Sequence, residues 1–178
     1  MGKATALQRL NNRWRATPEW YTPAWLLQRI ADFYGGTYYD PCPASQGVVA
    51  ESGLFGDWKG KRVYCNPPYG RGIEPWIIKA ATDPAREVIL LVPAYTDTKW
   101  FAPLFAYDLC FIKGRVYFEV MGKKGEHPAP HPSVLVYRGR RHRQFADAFS
   151  DLGPIMRTYR SKRDAQPHLL EVSAEPVA

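Results

Sequence analysis

The sequence predicts an α/β domain, a mainly parallel sheet of about five strands with helices on its faces. Three observations carry that expectation. Short apolar, β-branched runs centre on Tyr38, Tyr64, Leu90, Phe111 and Leu135, and stretches of helical periodicity separate several of them. A chain of 178 residues that is 46% hydrophobic and 14% aromatic can also bury a full core. Its 16 prolines and 14 glycines demand many turns and substantial loops.

Thr22-Pro23, ahead of Trp25, Leu26, Ile30 and Phe33, predicts a helix with Thr22 as N-cap and Pro23 as its first helical residue. Thr37-Tyr38-Tyr39 then forms a short strand that the chain leaves through Asp40-Pro41. Residues 61–65 read as a buried strand, which Pro67 and Pro68 end abruptly. Residues 73–82 suit a helix with Trp76, Ile77 and Ala80 on one face, and residues 87–94 form a continuous apolar strand. A helix over 99–106 carries Trp100, Phe101, Leu104 and Phe105. Two strands, 108–113 and 133–137, and a helix over 143–152 complete the pattern. Residues 119–132 make a long polar loop, of a length more often functional or mobile than idle. Three parts follow: a basic, flexible arm over 1–16, a domain over 17–163 and a tail over 164–178. In the tail Leu169, Leu170 and Val172 form an edge strand or dangle.

Asn66-Pro67-Pro68-Tyr69, between Arg62-Val63-Tyr64-Cys65 and Gly70-Arg71-Gly72, carries the chemistry. Each proline fixes its own φ and lacks an N–H, and the residue before a proline is pushed to an extended conformation. The strand therefore opens into a stiff shelf with free carbonyls, at the strand end where α/β folds place ligands. An exocyclic amino group on a nucleobase is a poor nucleophile because its lone pair is delocalised into the ring. Two acceptors that grip its hydrogens draw the nitrogen toward tetrahedral geometry. The Asn66 side-chain oxygen and the Pro67 carbonyl are the candidates, with the Tyr69 ring stacked on the base. No general base is needed before the methyl group moves, because the proton becomes acidic only afterwards. The alternative is a proline-stiffened turn with Asn66 bonded to its own backbone and Tyr69 in the core.

From Trp20 to about Tyr137 the chain resembles the small bacteriophage DNA N6-adenine methyltransferases, the Dam-like family that uses S-adenosylmethionine. The resemblance rests on ordered segments: Trp20-Tyr21-Thr22-Pro23 with Leu26, Tyr39-Asp40-Pro41-Cys42-Pro43-Ala44, Trp58-Lys59-Gly60, Val63 to Gly70, Pro75-Trp76-Ile77, Leu90 to Ala94, and Gly114-Arg115-Val116 with Phe118. It implies a reduced Rossmann-like methyltransferase fold whose last two strands pair antiparallel. It also implies transfer of a methyl group from S-adenosylmethionine to adenine N6 in DNA, with Asn66, Pro67, Pro68 and Tyr69 forming the pocket for the flipped base. Thr22-Pro23, with Tyr21, corresponds to the segment near the methionine end of the cofactor, and a helix N-terminus there suits a carboxylate. Asp40, with Pro41 and Cys42, corresponds to the acidic end of the first strand, facing the cofactor's ammonium group. The chain departs from the wider pattern after Asp40, where Pro-Cys-Pro-Ala-Ser-Gln-Gly replaces a Gly-x-Gly turn. That departure implies a different loop path and leaves Glu51 and Asp57 as poorly placed candidates for the ribose.

The formal net charge is +7 and is uneven: residues 1–15 carry +4, residues 138–163 carry +6 and the remainder −3. Basic ends suit a polyphosphate backbone, although charge runs are also ordinary solvated faces. DNA is thus the expected partner, contacted by Arg71 beside the shelf and by Arg115, Lys123 and Lys124 near the flipped base. Cys42, Cys65 and Cys110 are odd in number and separated, and His127, His131, His142 and His168 lack metal-ligand spacing; free thiols and no metal are expected. No run is long and apolar enough to span a membrane and no signal peptide opens the chain. The expectation is a monomer or weak dimer in the cytoplasm of a bacterial host, phage or prophage encoded by resemblance. Two alternatives stay open: methylation of cytosine N4 or of a protein glutamine amide by the same tetrapeptide, or an inactive DNA-binding relic of the fold.

Overall fold

The computed structural model describes residues 21–43, 50–120, 123–124 and 127–158, with backbone alone for 50–52, 120 and 123–124. The predicted arm and tail lie outside these residues.

The first two strands, β1 (Arg62–Cys65) and β2 (Glu87–Pro93), pair in parallel, with Val63 opposite Val88 and Cys65 opposite Leu90. Every residue of β2 is buried, as a strand covered on both faces requires. The remaining strands are β3 (Asp108–Phe111), the short pair β4 (Glu119–Val120) and β5 (Lys123–Lys124), β6 (Ser133–Arg138), and β7 (Ile155–Met156). The main sheet has five strands in the order β1-β2-β6-β3-β7.

The expectation of a mainly parallel sheet is corrected here. Only β1 and β2 pair in parallel; β6 is antiparallel to both β2 and β3, and β7 is antiparallel to β3. Because β6 lies between β2 and β3, the strands β1, β2 and β3 still run in one direction and end on the same edge. The antiparallel pairing of β3 with β6 agrees with the expectation for the last two strands read from sequence. The arrangement is compatible with a methyltransferase fold.

Four further expectations change. The strand around Tyr38 is reduced to one parallel bridge, Tyr39 to Val63, because Asp40-Pro41 turns the chain away after a single register position. Pro23 is the N-cap of α1 (Ala24–Tyr34), one residue later than expected, and Thr22 makes no capping bond. The helix over 99–106 contracts to a 3₁₀ helix, Ala102–Ala106, since Pro103 can start a helix but cannot continue one. The long loop contains the β4-β5 pairing, and β7, of two residues, is too short to leave a pattern in the sequence.

The sheet alternation divides the core. On one face α1 and a later helix, α4 (His142–Phe149), cover Tyr64, Ile89, Leu91, Cys110, Leu135 and Tyr137. On the other, α3 (Ile73–Thr82) and the 3₁₀ helix cover Val63, Cys65, Val88, Leu90, Leu109 and Val136. A short helix, α2 (Ala50–Phe55), lies in the chain between Tyr39 of the parallel bridge and β1. Its Gly53 lies so close to Pro41 that any side chain there would overlap the Pro41 carbonyl.

At the edge where β2 and β3 begin, charges are buried in pairs. The Glu87 carboxylate accepts from Arg141 Nε and Nη2 at 2.7 and 2.6 Å and from the Tyr137 hydroxyl at 3.0 Å. Arg141 Nη1 donates to the Phe33 carbonyl at 2.8 Å and its guanidinium lies over the Phe33 ring at 4.2 Å. Asp108 meets His142 Nδ1 at 2.6 Å. Burial would raise the Glu87 carboxyl, but the Arg141 and Tyr137 hydrogen bonds and the charges of Arg141 and Arg62 outweigh it and hold the group below the usual carboxylate range.

Candidate active site

The opposite edge, where β1 and β2 end, gathers the residues singled out in the sequence. Cys65, fully buried, closes β1, and Asn66 follows it half-buried with its amide oxygen shielded from solvent. Pro67 is buried and Pro68 half-buried, so the shelf is anchored rather than suspended in solvent. Gly70 follows with φ +99°, a conformation open to glycine, and lets the chain reverse into α3.

Tyr69 bridges the two halves of the core. Its hydroxyl donates to the Leu91 carbonyl at 3.4 Å, and its ring meets His131 and Phe118 edge-on at 5.1 and 6.3 Å. Burial pushes its phenol well above the usual range, with Cys65 adding, so it remains protonated. The ring is therefore fixed in place by neighbours on strand β2 and beside β6, packed against both halves of the core.

Thr22 reaches the same edge from the other side. Its hydroxyl lies 2.6 Å from the Tyr64 hydroxyl, and both side chains are buried. This bond explains why Thr22 does not cap α1: its oxygen is committed to the strand. The amide of Ala24 instead donates to Glu119 Oε1 at 3.0 Å, and Tyr21 and Glu119 exchange two backbone hydrogen bonds at 2.9 and 2.8 Å. A carboxylate of the chain itself thus already meets the first amide of α1.

Asp40 runs alongside Tyr64, because Tyr39 pairs with Val63 and accepts the Tyr64 amide at 3.0 Å. Its Oδ1 accepts the Cys42 amide at 2.8 Å, which folds residues 40–42 into a tight turn. Burial pushes the Asp40 carboxyl up to about 6, the Cys42 hydrogen bond opposing. Burial, reinforced by Asp40, likewise pushes the Cys42 thiol up to about 12, so it stays a neutral thiol. No ion pair engages Asp40 among the described residues. A half-buried carboxylate in that state suits an incoming cation. Pro41 is buried, and Gly53 of α2 packs against its carbonyl.

The sequence-predicted residues thus fall into groups. Tyr21, Thr22, Pro23, Asp40, Pro41, Cys42 and Asn66 to Tyr69 converge on the end of β1. Arg71 is exposed just past the shelf, and Arg115 is exposed on the segment after β3. Lys123 and Lys124 form β5, and their side chains lie outside the described residues.

Three residues at this edge carry no motif that singles them out in the sequence. His131 packs between Tyr69 and Tyr95, at 5.1 and 5.8 Å, and is nine-tenths buried with no hydrogen-bond partner for Nδ1 among the described residues. Burial holds its imidazole below the usual range, the nearby backbone of Pro132 opposing and Arg115 reinforcing. Tyr95, 43% exposed, presents an aromatic ring beside it. Glu119 closes the start of α1. The position of His131 follows from the antiparallel entry of β6, which a reading of separate motifs does not contain.

Among the described residues no helix is long and apolar enough to cross a membrane, and no cluster of His, Cys, Asp and Glu could hold a metal ion. No curated protein and no solved structure matches the chain. The sequence model of the family described as DNA N-6-adenine-methyltransferase (Dam) does match, over residues 11–166. That span includes the first helix, the shelf, the whole sheet and the loop before β6, and the chain belongs to the Dam family of DNA N6-adenine methyltransferases.

Proposed function

We propose that the chain methylates adenine N6 in DNA with S-adenosylmethionine as donor, on a base flipped onto the shelf Asn66-Pro67-Pro68-Tyr69. The observation that supports this most is convergence: Thr22 through its bond to Tyr64, Asp40 through the bridge beside Tyr64, and Asn66 all meet at the end of one strand. Family membership implies the base and the atom; the convergence supplies a place for donor and acceptor to meet.

The donor supplies an electrophilic sulfonium methyl group when bound. The residues present fit it: Asp40 has a carboxylate raised to about 6 by burial and lacks a cationic partner among the described residues, so it would hold the donor's ammonium group. Pro41 and Cys42 shape the adjoining turn, and Tyr21, Thr22 and Pro23 wall the opposite side.

The target base must leave the duplex, at a cost of a few kcal/mol. Tyr69, held by Leu91, Phe118 and His131, offers it an aromatic face. Asn66 then presents its amide oxygen; a half-turn of the planar amide about its last side-chain bond exchanges oxygen for nitrogen without moving the backbone. Gripped by that oxygen and the Pro67 carbonyl, the amino nitrogen would form its bond to the methyl carbon with its lone pair as the sulfur–carbon bond breaks to leave a neutral thioether. Only then would it release a proton to water. Positioning supplies most of the rate enhancement. Arg71, Arg115, Lys123 and Lys124 would contact the phosphates on either side.

Nucleoside mass spectrometry of DNA treated with the purified chain and S-adenosylmethionine tests this reading. N6-methyladenine is expected. N4-methylcytosine would move the same shelf to another base, and the absence of any methylated nucleoside together with no binding of the donor would leave a DNA-binding relic.

A further inference from the structure

A second aromatic site lies one chain thickness from the shelf. Residues 116–118 run extended, with Val116 and Phe118 buried at 3 and 1% exposure and Tyr117 between them 40% exposed. Phe118 faces inward and meets Tyr69. Tyr117 faces the other way, into a cavity of about 470 Å³ that it lines together with Trp25 from the first turn of α1. That volume lies within the range of about 300–1,000 Å³ usual for ligand pockets.

Trp25 is off the buried stripe of α1, which consists of Leu26, Ile30, Phe33 and Tyr34, and half of its surface meets solvent. A large aromatic held there contributes little to the core and presents its ring to the cavity.

The polar groups around these rings set the sign of the ligand. Lys113, Arg115, Glu119 and Asp151 line the same cavity. Asp151 pairs with Arg29 at 2.5 Å, while Glu119 accepts the Ala24 amide and keeps its charge, so Lys113 and Arg115 leave the cavity positive by one. Lys113 and Arg115 are exposed, and no ion pair engages either among the described residues. Aromatic faces flanked by uncommitted cations are the chemistry of a single-stranded nucleotide, the rings taking the base and the cations its phosphate.

We infer that this cavity binds the nucleotide next to the target base in the same DNA strand, stacking it on Trp25 and Tyr117 with Lys113 and Arg115 on the phosphate. The inference rests on the proposed function, since it takes the shelf as the place of the flipped base. It adds a subsite across the 116–118 wall, so that a strand entering the protein is held on both sides of one extended segment.

The experiment uses the full chain and a short oligo(dT) of about twelve nucleotides containing one adenine, with 2-aminopurine at the position beside it. Wild-type protein is expected to bind the strand and change the 2-aminopurine emission through stacking. Trp25→Ala and Tyr117→Ala should each weaken binding roughly tenfold and remove that emission change, whereas Trp25→Phe should retain most of both. Lys113→Ala with Arg115→Ala should lower the slope of log affinity against log salt by about 0.7 for each phosphate that is no longer neutralised. Thermal unfolding of each variant checks that the fold is intact, and the lysine-arginine pair carries the test if Trp25→Ala does not fold. Wild-type-like binding and emission in both alanine variants, with DNA methylation by the wild type intact, would overturn the subsite and leave the function standing. Failure of the wild-type chain to bind DNA would overturn both.

Discussion

The two edges of the sheet are built on opposite principles. Where β2 and β3 begin, Glu87, Arg141, Arg62, Asp108 and His142 are buried or half-buried in mutual pairs, and nearly every charge has a partner. Where β1 and β2 end, Asp40 has no ionic partner among the described residues, and His131 Nδ1 and Ser133 Oγ are buried without a hydrogen bond. The first edge contributes order to the fold. The second leaves the Asp40 carboxylate without an ion pair among the described residues. Buried polar atoms lacking a hydrogen bond among the described residues occur at both edges, Arg138 Nε and Asp83 Oδ1 at the first and His131 Nδ1 and Ser133 Oγ at the second.

Acidity separates the edges by sign. Glu87 is held below its ordinary value, so its stabilising contribution is complete above the ordinary carboxylate range and is lost as pH falls through its lowered value. Asp40 is raised from 3.8 to about 6, so the folded protein binds its proton more tightly than the unfolded chain does. Its favourable contribution is present below 3.8 and disappears as pH rises to about 6.

The largest effect expected from this contrast is on Glu87→Ala. Removing the carboxylate leaves Arg141 and Arg62 facing each other across a buried gap, and should cost about 3–5 kcal/mol of stability by urea denaturation. Methyl transfer per folded molecule should change little. Next is Asn66→Ala, which should lower kcat by about 10²–10³-fold, some 3–4 kcal/mol on the barrier, with an unfolding midpoint close to that of the wild type. Near-normal turnover in that variant would remove the shelf from the chemistry and blur the division between the edges.

Asp40→Asn sharpens the comparison in the other direction. It should stabilise the protein by about 1–3 kcal/mol at neutral pH, show no such advantage below pH 3.8, and weaken donor binding in calorimetry. A loss of stability at neutral pH would show that Asp40 belongs with the paired charges. The smallest effect expected is for Thr22→Val, which deprives the Tyr64 hydroxyl of its partner and should cost about 1–2 kcal/mol. Adding Tyr64→Phe should restore part of that loss, because no hydroxyl is then left buried alone.

Legibility from sequence followed the range of the forces involved. The helix at Ile73–Thr82 and the strands at Arg62–Cys65 and Glu87–Pro93 lie where local pattern puts them, since apolar spacing and proline placement act within a few residues. The shelf was legible for the same reason. Thr22 shows the limit: a helix N-cap by local chemistry, it gives its hydroxyl to Tyr64, forty-two residues away, and leaves the capping to Glu119. The helix expected over 99–106 fails within local range, because Pro103 outweighs the four apolar residues around it.

Local composition alone accounts for an α/β chain with a rigid Asn-Pro-Pro-Tyr turn at a strand end, because proline's ring and the burial of apolar runs act wherever the chain is placed. Folding settled what surrounds that turn. Inserting β6 antiparallel between β2 and β3 turned a nominally parallel sheet into a mostly antiparallel one and carried His131 and Ser133 to the edge that holds Asn66. Backbone hydrogen bonds between strands are the same for every residue pair, so partner and direction are chosen by which faces can be buried together, a property of the assembled chain.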